Sequence, residues 1–89
     1  MNSRLEQGFL DCLRHVPEDV RRKARKNYRL WLDNPRHPSL GFKPIGATGI
    51  WSVRVGIGWR ALGLVDDNTI TWFWIGSHAD YETLIRSLG

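Results

Sequence analysis

The spacing of the apolar residues changes once along this chain, and the change limits the folds open to it. Up to Asp33 the apolar residues recur every three to four positions, as on one face of an α-helix. From Leu40 onward they alternate with polar residues or form short runs between turns, which is typical of β-strands. Helical segments followed by a block of strands predict an α+β fold.

Two helices are predicted in the first third of the chain. The apolar stripe of the first consists of Leu5, Phe9 and Leu13. The second starts at Pro17, since proline is tolerated in the first helical turn, and ends before Pro35, which disfavours helical geometry at the preceding residue. The apolar stripe of the second consists of Val20, Ala24, Tyr28 and Trp31. We expect the helices to form an antiparallel pair, and the second to pack on Val53 and Phe73 or their immediate neighbours.

The second half of the chain predicts a three- to four-stranded antiparallel sheet. Strands are expected over residues 40–43, 50–55, 59–65 and 69–76. Turns are expected at residues 56–58 and 66–68. The strand over 69–76 is apolar on both faces, so we predict that it is central. A short C-terminal helix follows from His78 to Leu88, with Ser77 as its cap.

Length and composition predict one domain over residues 1–89, because 89 residues support a single core. The longest mainly apolar run, Ile70 to Ile75 with Thr71 inside it, is far shorter than the roughly 18 residues of a membrane span. The N-terminus has no apolar stretch of the kind found in signal peptides. A single cysteine, Cys12, excludes a disulfide within the chain. We therefore expect a cytoplasmic protein that does not associate with membranes.

The charge of the chain favours an anionic partner. Thirteen Lys and Arg residues face nine Asp and Glu residues, for a net charge of +4. Six of these cations, Arg25 and Arg29 among them, lie in the second predicted helix, and no acidic residue occurs between Val20 and Leu32. Such a surface suits phosphates or an acidic protein. The alternative is a solvated helix face without a partner.

A second set of candidate residues lies near the predicted sheet. Arg54 and Arg60 flank the turn at 56–58, so their guanidinium groups could converge on one face and stabilise a phosphate. Alternatively, each simply lies on the exposed face of a half-buried sheet. His78 follows the last strand, and histidine exchanges protons near neutral pH. Its alternative role is structural, and nearby Asp80 either orients it or caps the helix.

The five tryptophans also allow two interpretations. Exposed indoles between cations could stack on nucleic acid bases. Packing of a small sheet against two helices explains them more simply, and we expect at least three of the five in the core. The histidines lack the spacing of a metal site, and no glycine-rich phosphate loop is present. We therefore expect neither a metal nor a cofactor.

Five short segments, in this order, resemble the RelE/ParE superfamily of bacterial type II toxins. They are residues 34–40 (NPRHPSL), 42–43 (FK), 52–55 (SVRV), 59–62 (WRAL) and 72–81 (WFWIGSHADY). The resemblance runs from about Phe9 to Leu88. It implies a small α+β toxin with two N-terminal helices on an antiparallel sheet, and a cognate antitoxin protein as partner. The family strand that usually precedes the first helix is not expected, since Met1 to Glu6 is short and polar.

The resemblance also implies roles for individual residues. Arg54, Arg60, His78 and Tyr81 match positions of the catalytic site of RNA-cleaving members. Lys43 matches a basic residue of the first strand of the meander, and we add Arg25 and Arg29 from the basic helix as candidate substrate-binding residues. Members of the RelE branch cut messenger RNA on the ribosome, whereas the ParE branch inhibits DNA gyrase.

Together these observations predict a metal-independent endoribonuclease toxin that acts on mRNA at the ribosome and inhibits translation. The alternatives are a non-enzymatic gyrase inhibitor of the ParE type and an inactive member that only binds its antitoxin.

Overall fold

The computed structural model describes residues 1–88. Its α-helices are α1 (Gln7–Arg14), α2 (Glu18–Asp33) and α3 (His78–Leu88). Its strands are β1 (Asn2–Leu5), β2 (Lys43–Pro44), β3 (Ile50–Arg54), β4 (Trp59–Asp66) and β5 (Thr69–Ser77). A short 3-10 helix, Pro38–Leu40, leads into β2. The predicted α+β fold is confirmed. None of the helices within residues 1–88 is long and apolar enough to cross a membrane.

All five strands form one mixed sheet, in the order β1-β5-β4-β3-β2. β5, which was predicted to be central, has β1 on one side and β4 on the other, so it is an interior strand one place from the middle of the sheet. β1 runs parallel to β5, with Asn2 opposite Thr69 and Leu5 opposite Trp72. The remaining neighbours are antiparallel.

The sheet therefore has one strand more than the three to four expected, and the expectation of no strand before the first helix is wrong. β1 is an edge strand that pairs on one side only. Its four residues are enough to form a strand because β5 supplies the backbone hydrogen-bonding partners. Its polar sequence is compatible with a solvent-exposed edge. Leu5 belongs to this strand and not to the first helix.

The predicted strand over residues 40–43 is shorter than expected. Leu40 ends the 3-10 helix and is fully buried, and Gly41 follows in the left-handed region at φ 53°. Only Lys43 and Pro44 pair with β3. The apolar character of Leu40 thus reflects a side chain inserted into the core, which periodicity alone does not distinguish from a strand residue.

The predicted turns and caps are largely confirmed. Asp67 and Asn68 connect β4 to β5 with φ values of 49° and 61°, as a type I′ hairpin turn requires. The Ser77 Oγ accepts a hydrogen bond of 3.2 Å from the backbone N–H of Asp80 and so caps α3. Pro17 lies at the N-cap of α2, one residue before the helix begins.

The core lies between α2 and the sheet. Trp31 of α2 is 1% exposed and packs edge-on against Trp72, with ring centroids 5.5 Å apart. Val53 is in the same cluster, as predicted, and Trp72 takes the place proposed for its neighbour Phe73. The reason is a bulge: Leu62 pairs with Trp74 and Gly63 with Trp72, so Phe73 has no partner on β4.

Two tryptophans belong to the buried core cluster and two more are partly buried and pack against it. The expectation that at least three of the five tryptophans are in the core is therefore confirmed. These four tryptophans are Trp31, Trp51, Trp59 and Trp72. Trp74 is not among them. An apolar cavity of about 100 Å³ lies between α1 and α2, above the sheet. Phe9 and Leu13 of α1 and Ala24 and Tyr28 of α2 line its sides.

We expect Gly63→Ala to destabilise the fold. A Cβ on Gly63 would lie 2.6 Å from the Cδ1 of Ile70 and 3.0 Å from the Cε3 of Trp72, and both of these side chains are buried. Overpacking of this kind costs roughly 1–3 kcal/mol in the free energy of unfolding. Gly58→Ala is the matched control, because its Cβ would meet nothing within 4 Å. Equal urea midpoints for the two variants would contradict this packing.

Candidate functional site

The β3–β4 hairpin places two arginines side by side. Arg54 lies directly opposite Arg60 in the antiparallel register, so both side chains extend from the same face of the sheet. The neighbouring residues Val53, Val55 and Ala61 are buried beneath the helices on the other face. Arg54 and Arg60 therefore share the face of the sheet opposite α1 and α2, and the convergence of their guanidinium groups stays a prediction.

Arg60 is held from two sides. Its guanidinium carbon lies 5.8 Å from the ring centroid of Tyr81, within cation–π range, and its Nη1 donates to the carbonyl oxygen of Trp59 at 3.2 Å. Tyr81 is only 6% exposed. The tyrosine therefore offers little ring surface to a base and acts as a support that orients Arg60.

Arg54 is more exposed than Arg60 and is positioned through its backbone and the stem of its side chain. The Nδ2 of Asn27 on α2 donates to the carbonyl oxygen of Arg54 at 3.1 Å. The side chain passes close to Gly41, where an added Cβ would lie 3.1 Å from Nε. Sequence reasoning missed both Asn27 and Gly41, because their contacts with Arg54 are long-range.

His78 begins α3 beside this pair. Its backbone N–H donates to the carbonyl oxygen of Gly58 at 2.8 Å, which ties the start of α3 to the β3–β4 turn. The imidazole lies 5.7 Å from the Tyr81 ring, and its Nε2 is 3.1 Å from the Oε1 of Glu82. Glu82 was missed at the sequence level, although its i, i+4 spacing from His78 on a predicted helix is a usable signal.

No carboxylate in residues 1–88 forms a salt bridge with either arginine. The salt bridges in this range join Arg14 to Asp11 and His78 to Glu82. Two arginines that lie opposite each other on one face, without a carboxylate partner in residues 1–88, form a local positive field, and their side chains carry up to ten N–H donors. This arrangement is suited to a phosphate group.

The three candidate substrate-binding residues are placed differently from one another. Lys43 is exposed on β2 opposite Ser52, and Ser52 lies on the same face of β3 as Arg54. Lys43 therefore shares the face of the arginine pair. Arg25 and Arg29 are exposed on α2, on the other side of the sheet, so the structure does not bring them to Arg54 and Arg60.

The sequence matches the family model described as the ParE-like toxin domain over residues 18–83. That range includes the arginine pair, His78, Tyr81 and Glu82. No functionally curated protein matches the sequence significantly.

Several solved structures share the fold. A chain of the RelB-RelE antitoxin-toxin complex from Methanococcus jannaschii superposes with a TM-score of 0.73 at 19% identity, over 91% of this chain and 96% of that chain. YafQ from E. coli gives a TM-score of 0.67 at 16% identity, over 90% and 96% of the two chains.

The isolated E. coli RelE toxin matches over 99% of this chain and 98% of its own, with a TM-score of 0.64 at 17% identity. At these identities the likeness establishes the fold, and the family model establishes membership. This chain belongs to the ParE-like toxin domain family, within the RelE/ParE superfamily of toxins.

Proposed function

We propose that this protein is the toxin of a type II toxin-antitoxin system and an endoribonuclease that cuts mRNA on the ribosome, thereby inhibiting translation. The observation that carries the proposal is the cross-strand pair of Arg54 and Arg60, without carboxylate partners, next to His78. Relatives in the solved complexes are RelE toxins bound to RelB antitoxins, which supports the toxin assignment.

The proposed reaction is attack of a ribose 2′-oxygen on the adjacent phosphate. The 2′-hydroxyl loses its proton, the 2′-O–P bond forms, the P–O5′ bond breaks, and the 5′-oxygen leaves with a proton. Arg54 and Arg60 bind the phosphate and stabilise the negative charge that builds up on its oxygens. Stabilisation of this kind is usually the main source of rate acceleration at such a site. His78 carries one of the two proton transfers.

Two further residues act through these groups. Tyr81 contacts both Arg60 and His78, and we assign it a positioning role. Glu82 accepts from or pairs with the Nε2 of His78 and thereby fixes the ring orientation. Lys43, on the same face, is placed to bind a neighbouring phosphate of the RNA.

The alternative is inhibition of DNA gyrase without catalysis, and the match to the ParE-like family model is the observation that favours it. A gyrase inhibitor needs no group for proton transfer, so the position of His78 beside the arginine pair favours the nuclease. An inactive member that only binds its antitoxin would need neither His78 nor the arginine pair for catalysis.

Purified protein tested on translating ribosomes and, in parallel, in a gyrase supercoiling assay separates these functions. We expect cleavage of ribosome-bound mRNA and unchanged supercoiling. Intact mRNA with stalled supercoiling would establish the gyrase inhibitor instead. Intact mRNA with normal supercoiling would identify an inactive member.

The antitoxin is expected to be a protein encoded by a neighbouring reading frame, with an acidic segment that covers Arg54 and Arg60. The net charge of +4 and the absence of a salt bridge to either arginine within residues 1–88 support this.

If charge steers the complex, raising the salt concentration from about 0.05 M to 0.5 M should slow association about tenfold or more, since salt screens such fields. Stopped-flow binding with the purified antitoxin measures this rate. An unchanged rate would indicate a mainly apolar interface.

A further inference from the structure

Lys23 of α2 brings a further positive charge to the hairpin that carries the arginine pair. Its side chain lies across Gly56 in the β3–β4 turn, where an added Cβ would be 3.2 Å from the Cδ of Lys23 and 3.6 Å from its Nζ. Gly56 follows Arg54 by two residues, so the Cα atoms of these two residues lie within about 7 Å of each other. The Lys23 ammonium group is therefore at the same end of the sheet as Arg54 and Arg60.

Contacts on both sides of Lys23 hold this part of α2 against the sheet. Val20, one turn earlier, is 3% exposed and belongs to the core cluster. Asn27, one turn later, donates its side-chain hydrogen bond to the carbonyl oxygen of Arg54. The backbone of α2 thus fixes where the Lys23 side chain begins, while the residue itself stays exposed.

The Lys23 ammonium group is free to bind a ligand. Within residues 1–88 it forms neither a hydrogen bond nor a salt bridge. Asp19 has the i, i+4 spacing of a helical ion pair with Lys23, yet the two side chains do not form one. An ammonium group has three N–H donors and no acceptor, so the ligand that it suits is an anion.

The surface between Lys23 and Arg54 is open, because the turn carries two glycines. Gly56 has φ 72°, in the left-handed region that favours glycine, and its missing side chain leaves room for the stem of Lys23. A Cβ on Gly58 would meet nothing within 4 Å. An extended ligand can therefore approach the backbone of the turn closely.

We propose that Lys23 binds an mRNA phosphate next to the one held by Arg54 and Arg60, so that the RNA strand crosses the β3–β4 turn. The proposal rests on the proposed RNA cleavage, and it makes Lys23 a substrate-binding residue and not a catalytic one. Phosphate contacts of this kind position a nucleic acid without reading its sequence.

Lys43 extends this path on the other side of the arginine pair. It lies opposite Ser52, two residues before Arg54, whereas Lys23 lies beside Gly56, two residues after Arg54. The cations therefore form a row along β3, with the arginine pair between the two lysines. A row of positive charges suits an RNA strand, because each nucleotide of the strand carries a negative charge.

An acidic segment of the antitoxin is the competing partner. Protein interfaces usually have a core that is poor in charged residues, but the exposed neighbours of Lys23 on α2 include Arg22 and Lys26. The side chain of Ile57, which is fully exposed at the tip of the turn, suits either partner. The row of charges along β3 favours RNA.

The first test measures binding of a single-stranded RNA oligomer that carries 2′-O-methyl groups, which block attack by the 2′-oxygen. Lys23→Gln should weaken binding about three- to tenfold at about 0.05 M salt. It should also lower the magnitude of the slope of log K against log salt concentration by about 0.7, the contribution of one phosphate contact on a single strand. Lys23→Arg keeps the charge and should bind like wild type. Fluorescence anisotropy over a series of salt concentrations measures both quantities.

Arg22→Gln is the matched control. It removes the same charge from the adjacent exposed position, which points about 100° away around the helix. This variant should keep the wild-type slope. Equal losses in the two Gln variants would mean that Lys23 adds only to the general field of α2. That result, unchanged binding in Lys23→Gln, or a wild type without affinity for the oligomer would overturn the proposal.

The second test locates the contact on the RNA. A methylphosphonate replaces one charged phosphate oxygen by a methyl group, and it is placed at single positions beside the cut in ribosome-bound mRNA. At the phosphate that Lys23 binds, it should slow wild-type cleavage at subsaturating ribosome concentration about three- to tenfold. Lys23→Gln should cut at one reduced rate with or without it, because the two changes remove the same contact. Additive losses at every position would contradict the assignment.

The two tests separate this proposal from the nuclease function. If wild type cuts no mRNA but the oligomer gives the expected change in slope, the nuclease function fails and the phosphate contact of Lys23 stands. If Lys23→Gln weakens binding of the antitoxin but not of the oligomer, Lys23 belongs to a site for an acidic protein and the proposal is wrong.

Discussion

Arg60→Ala is expected to lower the rate of mRNA cleavage about 10²- to 10³-fold while the fold remains intact. The loss of one well-placed donor to a developing negative charge has this size. Arg60 makes a cation–π contact with Tyr81 and one hydrogen bond to Trp59, so the loss of unfolding free energy should stay near about 1 kcal/mol. Single-turnover cleavage on ribosomes, with a ribosome-binding assay beside it, separates the rate from the affinity.

Two variants sharpen this result. Arg86→Ala removes the same charge from an exposed position in the last turn of α3 and should cut at the wild-type rate. Arg60→Lys keeps the charge but loses the planar, bidentate geometry, so we expect only partial recovery. If Arg60→Ala weakens ribosome binding but leaves the single-turnover rate unchanged, Arg60 binds RNA and does not stabilise the transition state.

His78→Ala is expected to slow cleavage about 10²- to 10⁴-fold, the usual contribution of a group that transfers a proton. The side chain is about half exposed, and its one polar contact is Glu82, so the variant should fold normally. The rate is measured as for Arg60, and circular dichroism checks the helix content.

Glu82→Gln is the informative partner variant. It leaves the imidazole in place and removes only its orienting carboxylate, so its loss of rate should be clearly smaller than that of His78→Ala. If the two variants lose the same amount, the pair matters as a structural contact, and the assignment of proton transfer to His78 is wrong.

The arginine pair shows which parts of the candidate site can be predicted from the sequence. Alternation and the glycines at 56 and 58 predict the hairpin, but the register that places Arg54 opposite Arg60 depends on the loop length. A backbone hydrogen bond from the N–H of Val55 to the carbonyl oxygen of Trp59, 3.0 Å long, closes the hairpin with three loop residues. This register places both arginines on the same face of the sheet, because a shift of one residue in the pairing would turn one arginine to the opposite face.

Features that depend on distant neighbours were not predictable in the same way. β1 exists because β5, near the other end of the chain, offers it a free edge, and nothing in the polar sequence of Asn2–Leu5 indicates a strand. Leu40 is apolar because it fills the core and not because it alternates in a strand. The separation of Arg25 and Arg29 from the arginine pair follows from which face of the sheet α2 covers, which the two helical stripes alone do not determine.

The most direct test of the proposed cleavage is the chemistry of the RNA ends produced on translating ribosomes. Attack by the 2′-oxygen predicts a 2′,3′-cyclic phosphate on the upstream fragment and a free 5′-hydroxyl on the downstream fragment. Mass spectrometry of the fragments distinguishes these ends, with Arg60→Ala as the inactive control. Fragments that carry a 3′-hydroxyl and a 5′-phosphate, or mRNA that stays intact while wild-type protein stalls gyrase, would contradict the proposed roles of Arg54, Arg60 and His78.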